Sequence, residues 1–425
     1  MTTYPDSVEY LYSLGNELRG ARLGLERIRA VLAALGDPQR DCRFIHVAGT
    51  NGKGSTCAMI ESALRASGVR TGLFTSPHLV EPTERIRIDG RPVSDEQFAG
   101  AFHSVHRAAE SLVRGEELDA HPSYFETVTA MAMLLFRDQG VDTVVLETGL
   151  GGRLDATNIV SPGLCVITPV DYDHEAWLGS SLEAIAGEKA GIIKPGVPVV
   201  ISRQWPQAMR ILEARAATVG APVVRMEDWR IESLQINACA SRFLTAAPRA
   251  WRVECPLAGE HQVDNALTAV AALDRWGVPE DAVSAGIRET RWPGRLETVA
   301  QRPRIILDGA HNPAAIRALA AHVQRFYGGR RLWLIFGAMR DKSLAEIADT
   351  LAPLASEVIL TAPDSPRAAQ PESLRALFGH PSTRVAARLA QALEWLPEVG
   401  PQDLVVITGS LFLVGEARAL LVAGS

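Results

Sequence analysis

The chain has 425 residues, room for two or three domains, and its 47% hydrophobic and 22% charged residues are the balance of an ordinary globular protein. A formal net charge of -6 gives no footing for nucleic acid or an anionic membrane as a general partner. The five cysteines form no C-x-x-C pair or zinc-like spacing, the first residues lack a basic patch before an apolar core, and no apolar run approaches the ~20 residues that span a bilayer, so the expected address is the cytoplasm.

Residues 7–35 read as helical, with Leu11, Leu14 and Leu18, then Leu25, Ile28, Leu32 and Leu35, on apolar faces that Gly36-Asp37-Pro38 ends. A strand at Phe44–Ala48 breaks into the turn Gly49-Thr50-Asn51-Gly52-Lys53-Gly54-Ser55-Thr56. The segment Cys57–Ala66 then carries Met59, Ile60, Ala63 and Leu64 at helical spacing, with Gly68 where a C-terminal cap belongs. Strand, glycine-rich loop, lysine and hydroxyl residue, then helix is the geometry of a phosphate cradle. Backbone N–H groups crowd the anion, the helix N-terminus adds positive potential and Lys53 supplies a charge. Gly54 separates Lys53 from Ser55, a departure from the strict G-x-x-x-x-G-K-[ST] spacing.

A second strand, Arg70–Phe74, leads into Thr75-Ser76-Pro77-His78-Leu79 and a polar stretch with Glu84, Arg85 and Arg87. Helices are expected over residues 95–112 and 124–138. The β-branched run Val141–Glu147 reads as a strand buried on both faces of a parallel sheet, and it enters Gly149-Leu150-Gly151-Gly152-Arg153-Leu154-Asp155. A strand at Leu164–Thr168 leads to Asp171-Tyr172-Asp173-His174, followed by a helix near Leu182–Lys189 and a strand at Val197–Ser202. Residues 221–256 turn strand-like and less regular, and 262–276 look helical. The turn Trp292-Pro293-Gly294-Arg295 is the expected boundary between a domain over 1–294 and one over 295–425. Beyond it, strands at 304–308 and near 331–336, 356–361 and 403–407 alternate with helical segments. The fold class expected is α/β: an N-terminal P-loop-type, doubly wound, mostly parallel sheet domain and a smaller, Rossmann-like C-terminal α/β domain.

In such sheets ligands sit beyond the carboxyl ends of the strands, and Lys53, Ser76, Glu147 and His174 each follow or end a different strand. A carboxylate facing a phosphate cradle needs a cation between them. Magnesium, with its preference for oxygen, suits Ser76 and Glu147. His174 reads equally as a ligand or as a hydrogen-bonded loop histidine. Lys194 reads as part of a charged helix face, and residue type alone does not decide for Lys189. Asp308-Gly309-Ala310-His311-Asn312-Pro313 again lies between strand and helix, where it is either a structural turn or a ligand-facing one.

The chain also resembles the folylpolyglutamate synthase/dihydrofolate synthase family, within the wider group of ATP-dependent Mur-type amide ligases. The likeness spans nearly the whole chain. It rests on Gly49–Ser55, Ser76–Leu79 with Glu84-Arg85-Ile86, Glu147–Asn158, Asp173-His174, Glu188–Ile192, His261-Gln262 with Asn265-Ala266, Pro293–Arg295 and Leu307–Pro313. The resemblance implies ATP as co-substrate, held by Gly52, Lys53, Gly54 and Ser55 together with Asn265, Arg295, Asp308 and His311. It implies two magnesium ions on Ser76, Glu147 and His174, and a carbamate on Lys189, with Lys53, Lys189 and His174 as the catalytic set. The pterin end of the substrate would meet Pro122, Ser123, Tyr124 and Phe125, and Leu154, Asp155 and Ala156. Tyr124 and Phe125 would either stack on the ring or be core residues of the helix that follows.

The implied reaction adds L-glutamate to dihydropteroate, to reduced folates, or to both, through an acyl phosphate, in a monomeric enzyme without nucleic-acid or membrane partners. A folylpolyglutamate synthase alone, another Mur-type amino acid ligase and a non-enzymatic nucleotide switch are the rival readings. The chain departs from common family residues at Pro169 and at Glu81-Pro82-Thr83.

Overall fold

The computed structural model describes residues 3–15 and 24–422, which form three sheets and the helices around them. The first sheet holds β1 (Arg43–Ala48), β2 (Thr71–Phe74), β3 (Ile86–Ile88), β4 (Arg91–Pro92), β5 (Thr143–Glu147), β6 (Leu164–Ile167), β7 (Val199–Ile201) and β8 (Val223–Arg225). Its spatial order is β4-β3-β2-β5-β1-β6-β7-β8. The six strands from β2 to β8 pair in parallel, and the hairpin β3–β4 extends one edge antiparallel. Parallel pairing requires crossovers, and the runs Val144-Val145-Leu146 and Val199-Val200-Ile201 are apolar because helices cover both faces.

The helices in question are α1 (Tyr4–Ser13), α2 (Glu26–Ala34), α3 (Lys53–Ala66), α4 (Asp95–Arg114), α5 (Tyr124–Asp138), α6 (Glu175–Leu178), α7 (Leu182–Ala190), α8 (Pro206–Thr218), α9 (His261–Trp276) and α10 (Glu280–Glu289). On one face Ile45, Val47, Val145 and Val166 meet apolar residues of α3, α9 and α10. On the other, Phe44, Val144 and Leu146 meet α2, α4 and α5, while Cys165, Ile167 and Val199 meet α7 and α8. Helix α3 is sandwiched so closely that a Cβ on Gly286 of α10 would lie 2.3 Å from the Ala63 Cα. Only glycine permits that approach, and overpacking of this kind costs about 1–3 kcal/mol.

The strand-like region between residues 221 and 256 resolves into β8 and a separate antiparallel sheet, β9 (Arg230–Ile236), β10 (Ser241–Ala247) and β11 (Arg252–Cys255). The third sheet contains β12 (Glu297–Gln301), β13 (Arg304–Asp308), β14 (Leu332–Phe336), β15 (Glu357–Leu360), β16 (Thr383–Val385) and β17 (Leu404–Thr408). Its order is β12-β13-β17-β14-β15-β16, parallel except for β12 at the edge, and α11 (Pro313–Tyr327) crosses from β13. The expected architecture of two α/β sheet domains is therefore present.

Several local expectations are corrected. The helical stretch 7–35 is two helices, α1 and α2, and Leu18 lies outside the described residues. Helix α3 begins at Lys53, four residues before the expected Cys57. Gly52 at its N-cap has φ +82°, which glycine adopts without strain, so the polar loop passes directly into helix. The polar stretch after Ser76 contains the hairpin β3–β4, and α8 and α10 fall where no helix was expected. Among the described residues no helix is long and apolar enough to cross a membrane.

Candidate active site

The carboxyl ends of β1, β2, β5 and β6 and the loops of the third sheet face one another across a cleft of about 440 Å³. From the first sheet it receives Gly52, Lys53, Gly54, Ser55, Ser76, Glu147, Leu154, Asp155, Ala156, His174 and Lys189. From the other side come Asn265 of α9 and Arg295, Asp308 and His311. Of the expected pterin segment, Ser123 and Phe125 line the cleft, whereas Pro122 and Tyr124 do not.

Position on α5 explains that split. Ser123 caps the helix, with Glu126 N donating to its Oγ at 3.4 Å and its own N donating to Glu126 Oε2 at 2.8 Å. Successive helical residues point about 100° apart, so Phe125 faces the cleft while Tyr124 turns into the core. Tyr124 stacks nearly parallel to Tyr12, ring centroids 6.0 Å apart, with the Arg85 guanidinium 5.1 Å over its ring. Asp155 lines the cleft, but its oxygens already serve the glycine-rich loop. Oδ2 accepts Leu150 N at 2.8 Å, and Oδ1 accepts Thr157 N at 3.0 Å and the Thr157 hydroxyl at 2.5 Å. A pterin N–H would have to compete with the loop for this carboxylate.

The motif after β2 is likewise used for its own construction. Glu84 accepts the backbone N–H groups of Leu79, Val80 and Glu81 at 2.9, 3.1 and 3.1 Å. The buried Arg85 donates to His78 Nδ1 at 2.8 Å. These bonds present Ser76 to the cleft, where its backbone N–H donates to Glu147 Oε2 at 3.1 Å.

Glu147 is buried, and its nearest cation, Lys53 Nζ, is 4.0 Å from Oε1. Burial dominates over Lys53 and pushes its carboxyl up to about 7. A buried carboxylate so thinly matched fits a hard, oxygen-seeking cation such as magnesium. Lys189 is buried as well, donates to Gly49 O at 2.8 Å, and is driven down to about 7 by burial and then by the Lys53 charge. Its amine is thus partly free at neutral pH. His174, at φ +54°, is held down to about 4 by burial, so its imidazole is neutral and keeps a nitrogen lone pair to offer a metal.

Two further groups tie the sides together. Asn51 and Asn312 exchange side-chain amide bonds of 3.4 and 3.0 Å, joining the phosphate loop to the start of α11. Asp173 accepts His174 N at 2.9 Å, Asn312 Nδ2 at 3.1 Å and Lys342 Nζ at 2.5 Å, and His311 Nε2 lies 3.5 Å away. Burial would raise this carboxyl, but His311, His174 and Lys342 outweigh it and hold it well below the usual range. On the floor, Gln262 Nε2 donates to Ser55 Oγ at 3.2 Å and Asn265 Nδ2 to Gln262 Oε1 at 3.0 Å. Arg295 lies beside Asp308, whose oxygens accept Leu296 N at 2.8 Å and Ala310 N at 3.0 Å.

Lys342 was not expected, because it sits in a polar loop without periodicity. A signal existed: of 43 lysines and arginines only four are lysines, and three of those, Lys53, Lys189 and Lys342, line the cleft.

The Mur ligase middle domain matches residues 47–273, and the Mur ligase glutamate ligase domain matches residues 294–411. The chain is 34% identical to a dihydrofolate synthase/folylpolyglutamate synthase of Bacillus subtilis, over 99% of both chains. It is 36% identical to a folylpolyglutamate synthase of Lacticaseibacillus casei, again over 99% of each. Among solved structures, a Mycobacterium tuberculosis folylpolyglutamate synthase complexed with ADP and AMPPCP superposes with a TM-score of 0.90 at 35% identity, covering 98% of this chain and 99% of that one. E. coli FolC in complex with DHPP and ADP gives a TM-score of 0.89 at 32% identity, covering 99% and 98%.

Proposed function

The chain belongs to the dihydrofolate synthase/folylpolyglutamate synthase family of Mur ligases, and from that premise we propose that it joins L-glutamate both to dihydropteroate and to reduced folates, consuming ATP. The observation that carries this reading is the convergence of the glycine-rich loop, Lys53, Glu147 and Lys189 with Arg295, Asp308 and His311 on a single cleft. Relatives complexed with ADP, AMPPCP and DHPP support small-molecule substrates of this kind.

A carboxylate is a poor electrophile, so the acceptor carboxylate first attacks the γ-phosphorus of ATP. ADP leaves and an acyl phosphate forms. The α-amino nitrogen of glutamate then attacks the acyl carbon, the C–N bond forms, a proton leaves nitrogen and phosphate departs. Gly52, Gly54 and Ser55 offer N–H groups at the start of α3 to the phosphates, and Lys53 offsets charge as the phosphoryl group moves. Glu147, Ser76 and His174 are the residues that would hold magnesium, as two ions. Magnesium bound there would neutralise phosphate charge. Lys189, with its amine partly free, is suited to add CO₂ and carry a carbamate beside Lys53. Asn265, Arg295, Asp308 and His311 complete the nucleotide side. Ser123, Phe125, Leu154 and Ala156 receive the pterin, Phe125 offering a ring face. Enclosure between the two sheet domains keeps water from the acyl phosphate.

The same reading divides the domains between Gly294 and Arg295 and makes the protein a cytoplasmic monomer. The five unpaired cysteines support a reducing compartment. The test is glutamate-dependent ADP release by purified protein with ATP and magnesium, supplied separately with dihydropteroate and tetrahydrofolate. Turnover with both is expected. Turnover with tetrahydrofolate alone would make it a polyglutamate synthase only, and turnover with neither would remove it from the folate-acting branch.

A further inference from the structure

Far along the chain from the phosphate loop, α4 and the loop after it bring three metal-type donors together. His106 and Glu110 stand one helical turn apart, so they share a face of α4. His121 returns from the segment before α5. Ligand atoms of the three all lie within 4.8 Å of one another. Glu110 Oε1 is 3.0 Å from His121 Nε2, and Glu110 Oε2 accepts Arg114 at 3.2 Å.

The His106 ring is already oriented. Tyr10 meets it edge-on at 4.6 Å, Phe102 stacks on it at 5.4 Å, and His121 lies nearly parallel at 5.9 Å and 17°. Among the described residues neither ring nitrogen of His106 has a hydrogen-bond partner. An imidazole held by three rings, with its nitrogens unpaired among the described residues and set beside a carboxylate and a second imidazole, has the donor chemistry of a metal ligand.

We propose that His106, Glu110 and His121 bind one divalent transition-metal ion of the zinc type, with water completing the coordination. The donor set is two imidazoles and one carboxylate. Imidazole selects zinc, nickel or copper over magnesium, which prefers oxygen alone. Zinc–ligand bonds of about 2.0–2.2 Å bring donor atoms to about 3.3 Å of each other in a tetrahedral site. Glu110 and His121 are already that close, and a His106 ring nitrogen lies within 4.8 Å of the ligand atoms of both. The side chains of His121 and Glu110 are 30% and 32% exposed, so the ion can enter from solvent. Three protein ligands leave a position open to water. Bound metal would clamp His121 to α4, two residues before the Ser123 cap of α5, and so fix the loop between the two helices.

The site is independent of the ligase reading, and its test needs no turnover. The purified protein, saturated with magnesium, is incubated with zinc chloride, passed through a desalting column and assayed for zinc beside the double variant His106→Ala/His121→Ala. The expected result is one more equivalent of zinc on the wild type than on the double variant. A matching melting temperature in EDTA shows that the variant is folded. Glu110→Gln keeps the shape, and it should weaken zinc binding about tenfold or more. His103→Ala, on the next turn of α4, should retain the full equivalent. Cobalt chloride should give the wild type, and not the double variant, the visible absorption of a low-coordinate site. Equal zinc contents in wild type and double variant, or full affinity in Glu110→Gln, would overturn the proposal.

Discussion

Around Lys53 the cleft buries a carboxylate and an amine with few partners, whereas around Asp173 it buries a carboxylate that has four. Glu147 has one backbone N–H and a lysine at 4.0 Å, and Lys189 has one carbonyl. Asp173 has the His174 N–H, Asn312, Lys342 and His311. The titrations separate accordingly: Glu147 rises to about 7 and Lys189 falls to about 7, both by burial, while Asp173 is held well below its ordinary value. Buried charge is tolerated where the protein completes its hydrogen bonds and costly where it does not. The Asp173 corner is finished by the fold and links its two halves. The Lys53 corner is left for ligands to finish.

The largest effect expected is on turnover at the unfinished corner. Lys53→Ala should raise the barrier to ligation by several kcal/mol, on the order of losing a transition-state donor, with the melting temperature little changed. Steady-state ADP release and thermal unfolding measure the two halves of that statement, and near-wild-type turnover would break the comparison.

Next comes Glu147→Gln, which keeps shape and removes charge. Its ligation should slow, with the apparent barrier raised by about 2–3 kcal/mol, and its magnesium dependence should weaken sharply, read from a magnesium titration of the rate. Lys189→Ala should also lose ligation, with partial rescue by a small carboxylate such as acetate standing in for the carbamate. Full activity without additive would remove the carbamate from the account.

A smaller effect belongs to the finished corner. Asn312→Ala removes the amide exchange with Asn51 and the cap in which Asn312 Oδ1 accepts Ala315 N at 3.0 Å, and should cost about 1–2 kcal/mol of stability in a denaturant titration. Its effect on ligation should appear in KM for ATP more than in kcat.

How much of this could be read from residues alone varies with the physics involved. The parallel strands were legible because burial on both faces makes them continuous apolar runs, as in Val144–Leu146. Lys53, Glu147 and His174 were legible because each ends or follows a different strand. The start of α3 was not, since Gly52, Gly54 and Ser55 look like loop until their neighbours fix them as a first helical turn. Tyr124 and Phe125 could not be separated without knowing which way α5 is rotated. Asp155 could not be assigned without seeing that its partners lie within five residues of it. Lys342 was hidden for the opposite reason: it meets Asp173 across 169 residues of chain, and no local pattern encodes that contact.

The contrast between the corners is tested most directly by thermal unfolding of Glu147→Gln and Asp173→Asn side by side, without nucleotide or magnesium, near pH 8. Glu147 has its folded value raised to about 7 from 4.5, so the unfolded chain ionises first. Its contribution to stability is intact below about pH 4.5 and lost as pH rises through about 7, a loss of roughly 3 kcal/mol. Asp173 has its value lowered, so its contribution is present above the ordinary carboxylate range and lost only as pH falls through the folded value. Opposite signs are expected: Glu147→Gln melts higher than the wild type, with the gain vanishing toward pH 4.5, and Asp173→Asn melts lower, by roughly 3 kcal/mol or more in stability. Shifts of the same sign for both variants would contradict that contrast.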